Sequence, residues 1–257
     1  MKILFIGNNK LGWQVIKWLR KQQEEIVGLV LHPPQKRKFC AEILSACSLS
    51  SNRIFDGSKI NYKETIQSVN LLKPDIGISV MFGYILKPEL LSILPQGCIN
   101  LHISYLPYNR GSFPNVWSII DGTPAGVTLH YVDAGVDTGP IIAQRDVSVE
   151  PIDTGLSLYR KLERKAFYLF RDMWPRIKEG KTQRTAQLSS EGTYHRAQDV
   201  KKIDEIDLQK MYKAKNLLDI LRARTFPPYP GVYFCINGKK VYLNLQLTYA
   251  EKSERTE

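Results

Sequence analysis

The segment Asn100-Leu101-His102-Ile103-Ser104 alternates polar and apolar residues, so an extended backbone would project a carboxamide, an imidazole and a hydroxyl from one side. It runs directly into Tyr105-Leu106-Pro107-Tyr108-Asn109-Arg110-Gly111, which adds further polar groups and a guanidinium. A neutral imidazole can take a proton from an attacking nucleophile. A carboxamide N–H can steady an oxygen that gains negative charge. A lone buried histidine is more often a satisfied core residue, but this many polar groups at the end of an apolar strand outweigh that reading. A second cluster, Val132-Asp133-Ala134-Gly135-Val136-Asp137-Thr138-Gly139-Pro140, places two carboxylates in a loop. Taken alone it is an ordinary turn, because Asp and Gly make turns for local reasons. The other histidines have weaker surroundings: His32 precedes a proline pair, His130 sits within a strand-like run and His195 lies in a polar stretch. His102 is the candidate base.

Gly7-Asn8-Asn9-Lys10-Leu11-Gly12 follows the first apolar run and is built like a dinucleotide-binding turn, except that Asn9 stands where the middle glycine belongs. That glycine lets the backbone approach a pyrophosphate, so NAD and FAD are not expected. Asn9 and Lys10 still fall at the carboxyl end of a strand, where open α/β sheets bind ligands. The four cysteines, Cys40, Cys47, Cys98 and Cys235, form no C-x-x-C pair and no Cys/His cluster, so no metal site and no disulfide framework are expected. Lysine and arginine total 36 against 25 acids, a net charge of +11 carried mostly after residue 150. Such a balance favours an anionic partner without choosing one. Neither a leader nor an apolar run of about 18 residues is apparent, and a cytoplasmic protein that does not engage membranes is expected.

These side chains need a scaffold, and the pattern supplies an α/β one. Lys2 to Ile6, Ile26 to Leu31 and Ile76 to Val80 are apolar runs without polar alternation, the mark of parallel strands buried on both faces. Leu11, Val15, Ile16 and Leu19 recur at helical spacing. Cys98 to Ile103, Ala125 to Tyr131 and Pro140 to Val147 read as further strands. Ser157 to Lys178 reads as a long amphipathic helix capped by Asp153 or Thr154. The stretch 181–200 is polar and poorly periodic, as a linker would be. A short helix around Tyr212 to Arg222 follows, then two β-rich runs, Val232 to Ile236 and Lys240 to Leu247. Asn237-Gly238 between them is a strong hairpin signal.

Asn100-x-His102-x-Ser104-x-Leu106-Pro107-x-x-x-Gly111, followed by Gly126-Val127-Thr128 and by Asp133-x-Gly135-x-Asp137-Thr138-Gly139-Pro140-Ile141-Ile142, resembles the folate-dependent formyltransferases. Their branches include glycinamide ribonucleotide transformylase, methionyl-tRNA formyltransferase and the sugar-nucleotide N-formyltransferases. The resemblance implies a Rossmann-like domain with a mostly parallel sheet over residues 1–180, then a linker and a small C-terminal helix and β-hairpin subdomain over 181–257. It implies transfer of a formyl group from N10-formyltetrahydrofolate to an amine, with Asn100, His102 and Asp137 matching the catalytic triad. Met81, Phe82, Gly83, Tyr84, Ile85 and Asp133 would hold the pterin.

The stretch from Leu221-Arg222-Ala223 to Tyr229-Pro230-Gly231 resembles the start of the C-terminal portion in the tRNA and sugar branches. The tRNA branch grips its acceptor with a C-terminal β-barrel, which needs far more chain than the 26 residues after Gly231. The expected acceptor is therefore a nucleoside-diphosphate-linked amino-deoxy sugar, dTDP-linked and 3- or 4-amino, used in lipopolysaccharide O-antigen or related surface glycans. Asn9, Lys10, Ser104, Tyr105, Asn109, Arg110 and Tyr229 are its candidate contacts. A hairpin too small to stand alone is expected to pack in a homodimer. The competing readings are a truncated methionyl-tRNA formyltransferase and a non-catalytic, basic nucleic-acid-binding module. The second has no nucleic-acid motif and would leave Asn100, His102 and Asp137 idle.

Overall fold

Apolar runs that lack polar alternation become the buried strands of one sheet in the computed structural model, which describes residues 1–250. In chain order the N-terminal elements are β1 (Lys2–Gly7), α1 (Asn9–Lys21), β2 (Glu25–Leu31), α2 (Cys40–Cys47), β3 (Ile54–Asp56), α3 (Lys63–Leu71), β4 (Ile76–Val80) and α4 (Pro88–Leu91). They are followed by β5 (Cys98–His102), β6 (Arg110–Gly111), α5 (Pro114–Ile120), β7 (Gly126–Tyr131), β8 (Ile141–Asp146) and α6 (Gly155–Lys178). Last come β9 (Tyr194–His195), α7 (Ala214–Arg224), β10 (Val232–Ile236) and β11 (Lys239–Leu243).

The main sheet has seven strands in the order β3-β2-β1-β4-β5-β7-β8. The pairs from β3 to β5 are parallel, and β7 and β8 add on antiparallel, so the sheet is mostly parallel as expected. Alternation along β1 serves both faces: Ile3 and Phe5 enter the larger core under α1 and α6, while Leu4 and Ile6 join a second core with Val69, Leu90 and Leu94. The long helix begins with a reciprocal cap, in which Ser157 N donates to Thr154 Oγ1 and Thr154 N to Ser157 Oγ. Its Leu158, Leu162, Ala166, Leu169 and Phe170 are buried, on the face their spacing predicts.

The hairpin of β10 and β11 turns at Asn237 and Gly238, both left-handed at φ 49° and 71°, which matches the twist of its strands. It is tied to the body where Ile206 N and the Tyr233 carbonyl, and Tyr233 N and the Asp204 carbonyl, meet at 2.8 Å. The stretch expected to be a linker packs instead against the main domain. Thr185 and Ile141 exchange two backbone hydrogen bonds, and β9 pairs in parallel with β6. Backbone pairing of such short pieces leaves no periodicity in the sequence. No helix among the described residues is long and apolar enough to cross a membrane.

Candidate active site

The strand order reverses beside β1, between β2 and β4, and such a reversal opens a crevice at the carboxyl ends of the strands. A cavity of about 1250 Å³ opens there. The turn after β1, the loop after β4, the end of β5, β7 and the loop carrying Asp133 and Asp137 line it. Residues of α6 and of the 223–233 region line it as well.

Asn100, His102 and Asp137 come together in this cavity. Asn100 Nδ2 lies 3.1 Å from His130 Nε2 and donates to Asp137 Oδ1 at 3.3 Å. His130 Nδ1 is 2.8 Å from the Tyr131 carbonyl, which can only accept, so that nitrogen carries a hydrogen, and His130 Nε2 lies 3.6 Å from Asp137 Oδ1. One of the two hydrogens on Asn100 Nδ2 is already directed at Asp137. Asp137 Oδ2 accepts from Gly111 N at 2.9 Å and lies 3.7 Å from His102 Nε2. That Nε2 is buried and makes no hydrogen bond within the protein.

Burial pushes the His102 imidazole below its ordinary pKa, while the Asp137 charge pulls the other way. Burial alone would raise the Asp137 carboxyl, but His102, His130 and the Gly111 N–H outweigh it and hold the group below the usual carboxylate range. The outcome is an ionised carboxylate beside a neutral imidazole, the pairing that proton abstraction requires.

His130 is the member that sequence reasoning passed over. Cross-strand register brings it there: Asn100 pairs with His130 and His102 with Thr128 on adjacent antiparallel strands. The alternation of Thr128 and His130 in an otherwise apolar strand was the available signal.

The proposed pterin residues, Met81 to Ile85 and Asp133, all line the same cavity. Gly83 N donates to His32 Nε2 at 3.1 Å, and the Phe82 and Tyr84 rings pack around that imidazole. Burial, helped by Lys36, lowers the His32 pKa and so preserves it as a neutral acceptor. Asp133 Oδ1 accepts from Thr138 Oγ1 at 2.6 Å and Gly135 N at 3.1 Å, which shapes its loop. Apolar Leu86, Ile103, Val132 and Val136 complete this end, a lining suited to a flat heteroaromatic ring whose edge meets backbone groups. Asn9, Phe39, Met81, Phe113 and Asp137 line the cavity with φ between 53° and 64°. For non-glycine residues that conformation costs about 1–3 kcal/mol each and collects at functional sites.

Among the candidate acceptor contacts, Asn9, Lys10 and Tyr229 line the cavity. Lys38, which was not singled out, joins them: its Nζ donates to Tyr229 Oη at 2.8 Å. Asn8 holds this basic loop in place, accepting from Lys38 N and donating to the Lys36 carbonyl. Ser104, Tyr105, Asn109 and Arg110 do not line the cavity. β5 ends at His102, so Ser104 no longer shares a face with Asn100, and its hydroxyl donates to the Tyr108 carbonyl. The Tyr105 ring lies against Gly126. Asn109 is fully buried and donates to Ser118 and Thr123. Arg110 lies in β6, where its backbone N donates to the Thr193 carbonyl beside β9. Among the described residues no group of three or more His, Cys, Asp or Glu side chains could hold a metal ion.

A family model for formyl transferase matches residues 1–171, and one for the N-formyltransferase dimerization C-terminal domain matches residues 199–249. The chain is 30% identical over 250 residues to the methionyl-tRNA formyltransferase of Geotalea daltonii, covering 94% of this chain and 78% of that one. Among solved structures, a 4-N formyltransferase from Francisella tularensis superposes with a TM-score of 0.81 at 30% identity, covering 97% of this chain and 98% of the other. The formyltransferase PseJ from Anoxybacillus kamchatkensis, solved with UDP-4,6-dideoxy-4-formamido-L-AltNAc and tetrahydrofolate, superposes with a TM-score of 0.60 at 32% identity. That superposition covers 79% of this chain and 89% of PseJ. Asn100, His102 and Asp137 all fall within the first of these family matches, and the chain belongs to the formyl transferase family.

Proposed function

We propose that this formyltransferase moves a formyl group from N10-formyltetrahydrofolate to the 4-amino group of a dTDP-linked amino-deoxy sugar, in the cytoplasm and for surface-glycan synthesis. The observation that carries the reading is the continuity of one cavity across two chemistries. Its lining includes the loop of Met81 to Ile85 and the cluster of Asn100, His102 and Asp137. It also includes Lys10, Lys38 and Arg160 and the aromatic rings of Tyr229 and Phe226, with Lys38 bonded to Tyr229. Cations suit a diphosphate and aromatic faces suit a base. The amino position follows the Francisella 4-N formyltransferase and the 4-formamido sugar bound by the Anoxybacillus relative.

In this reading the acceptor amine attacks the formyl carbon between Asn100 and His102. His102 Nε2 takes the proton that the nitrogen loses, and Asp137 favours the imidazolium that results. The Asn100 amide turns a hydrogen toward the formyl oxygen as charge develops there. When bound, the folate would supply the formyl group: collapse of the adduct would break the formyl carbon–N10 bond, and the proton held on His102 would pass to N10, so that tetrahydrofolate leaves and the imidazole returns to its neutral form. The match over residues 199–249 supports a homodimer built through the C-terminal region.

Purified protein incubated with formylated folate and a panel of dTDP- and UDP-linked 3-amino and 4-amino sugars tests the proposal. Mass spectrometry is expected to find one added formyl group on the dTDP-linked 4-amino sugar. Modification of the UDP-linked or 3-amino members alone would move the assignment. The second reading, methionyl-tRNA as acceptor, draws on the 30% identity to the Geotalea enzyme.

A further inference from the structure

One stretch of chain outside the triad's own signature holds Asp137 from two sides. Gln187 Nε2 donates to the Asp137 carbonyl at 2.9 Å and to the Gly139 carbonyl at 2.7 Å, so both hydrogens of one amide go to carbonyls of the residues on either side of Thr138. Two residues earlier, Thr185 and Ile141 exchange backbone hydrogen bonds at 2.8 and 2.9 Å, which anchors the stretch to the strand that follows the loop. Farther along, Thr193 O accepts from Arg110 N, and His195 O accepts from Ser112 N. Between those two bonds lies Gly111, whose N–H meets Asp137 Oδ2. A Cβ on Gly111 would overlap the His195 carbonyl, so the two segments are in close contact.

Asp137 needs such support. It is a non-glycine residue at φ 53°, a conformation that persists only where the surroundings over-determine it. The amide orientation of Gln187 is fixed by chemistry, since two carbonyls can accept only from its NH2 end.

The geometry points to Gln187 as a positioning residue for the transfer step: by clamping the carbonyls of Asp137 and Gly139 it holds the Asp137 carboxylate against Gly111 N–H and beside His102. This inference rests on the reading of Asp137 as the partner of His102. Misplacement of a catalytic group by about 1 Å can cost roughly 10²-fold in rate. Release of the carbonyl clamp is therefore expected to appear in turnover.

The test compares Gln187→Met, which keeps the length and loses the donor, with Gln187→Glu, which keeps the shape and turns a carboxylate toward two carbonyls. Asp137→Asn runs in parallel, and all rates are taken per folded protein as judged by circular dichroism. Both Gln187 variants are expected to lower kcat about 10–100-fold and to leave KM for the formyl donor within about twofold. The acid limb of kcat in Gln187→Met is expected to move to lower pH, because a retreating Asp137 charge no longer offsets the burial that lowers the His102 pKa. Unchanged kcat in both Gln187 variants, with Asp137→Asn inactive, overturns the clamp. A lowered kcat with an unmoved acid limb in Gln187→Met overturns it too, since loss of structural support alone would not shift the limb. Full turnover in Asp137→Asn overturns the reading of Asp137, and the clamp falls with it.

Discussion

A histidine accepts a proton only while it is neutral, and burial holds the His102 imidazole below its ordinary pKa of about 6.5. The rate should therefore rise with pH through a midpoint below about 6.5 and stay flat through neutrality. A pH–kcat profile with its acid limb above 7 would contradict this. His102→Asn, which keeps a polar group but cannot accept the proton, is expected to lower turnover roughly 10²-fold or more with little change in donor affinity. Stopped assays and a binding titration on the same folded variant check both halves of that statement. Asn100 and His102 were legible in the sequence because two-residue alternation within one strand is local. His130 was not, because its place beside Asn100 depends on the register of a strand 30 residues away.

The carboxyl ends of the strands and the loops beyond them hold the candidate site, and buried groups beneath fix the shape of those loops. His32 accepts from Gly83 N in the loop of Met81 to Ile85, so His32→Phe leaves that N–H without a partner. The expected result is a KM for the formyl donor raised about tenfold, equivalent to roughly 1.4 kcal/mol, with kcat little changed. An unchanged KM would show that the loop keeps its shape without the imidazole. Lys10 also lines the cavity, and Lys10→Ala is expected to weaken acceptor binding by about 1.5–3 kcal/mol, the value of a charge-assisted hydrogen bond. Arg110→Ala, outside the cavity, should leave that affinity within about twofold. Calorimetry with the acceptor separates the two. The apolar runs of β1, β2 and β4 and the helical stripe of α6 announced themselves through periodicity. The pairing of β6 with β9 did not, because two-residue strands satisfy backbone groups and bury no stripe of side chains. The left-handed Met81 was equally hidden, since methionine carries no signal of positive φ, and Asp137 carried only the weak one that aspartate adopts it more often than most residues.

At the scale of the whole molecule, charge and the C-terminal region bear on the acceptor. Ile236, Val241 and Tyr242 of the hairpin are exposed, within the stretch that matches a dimerization domain. A dimer is expected in light scattering at micromolar concentration, and a monomer there would count against that part of the proposal. The net charge of +11 suits either a compact diphosphate or a polyanion, and salt distinguishes them. An acceptor with two phosphates meets only a few cations, whereas tRNA held through many phosphates loses affinity steeply as counterion release is suppressed. The most direct test is a competition: the protein, formylated folate, a dTDP-linked 4-amino sugar and methionyl-tRNA together, at low and at physiological salt, with both products quantified by mass spectrometry. The account predicts formyl on the sugar nucleotide at both salts, with a rate that changes little between them. Formyl only on methionyl-tRNA, with a rate that collapses as salt rises, would contradict it.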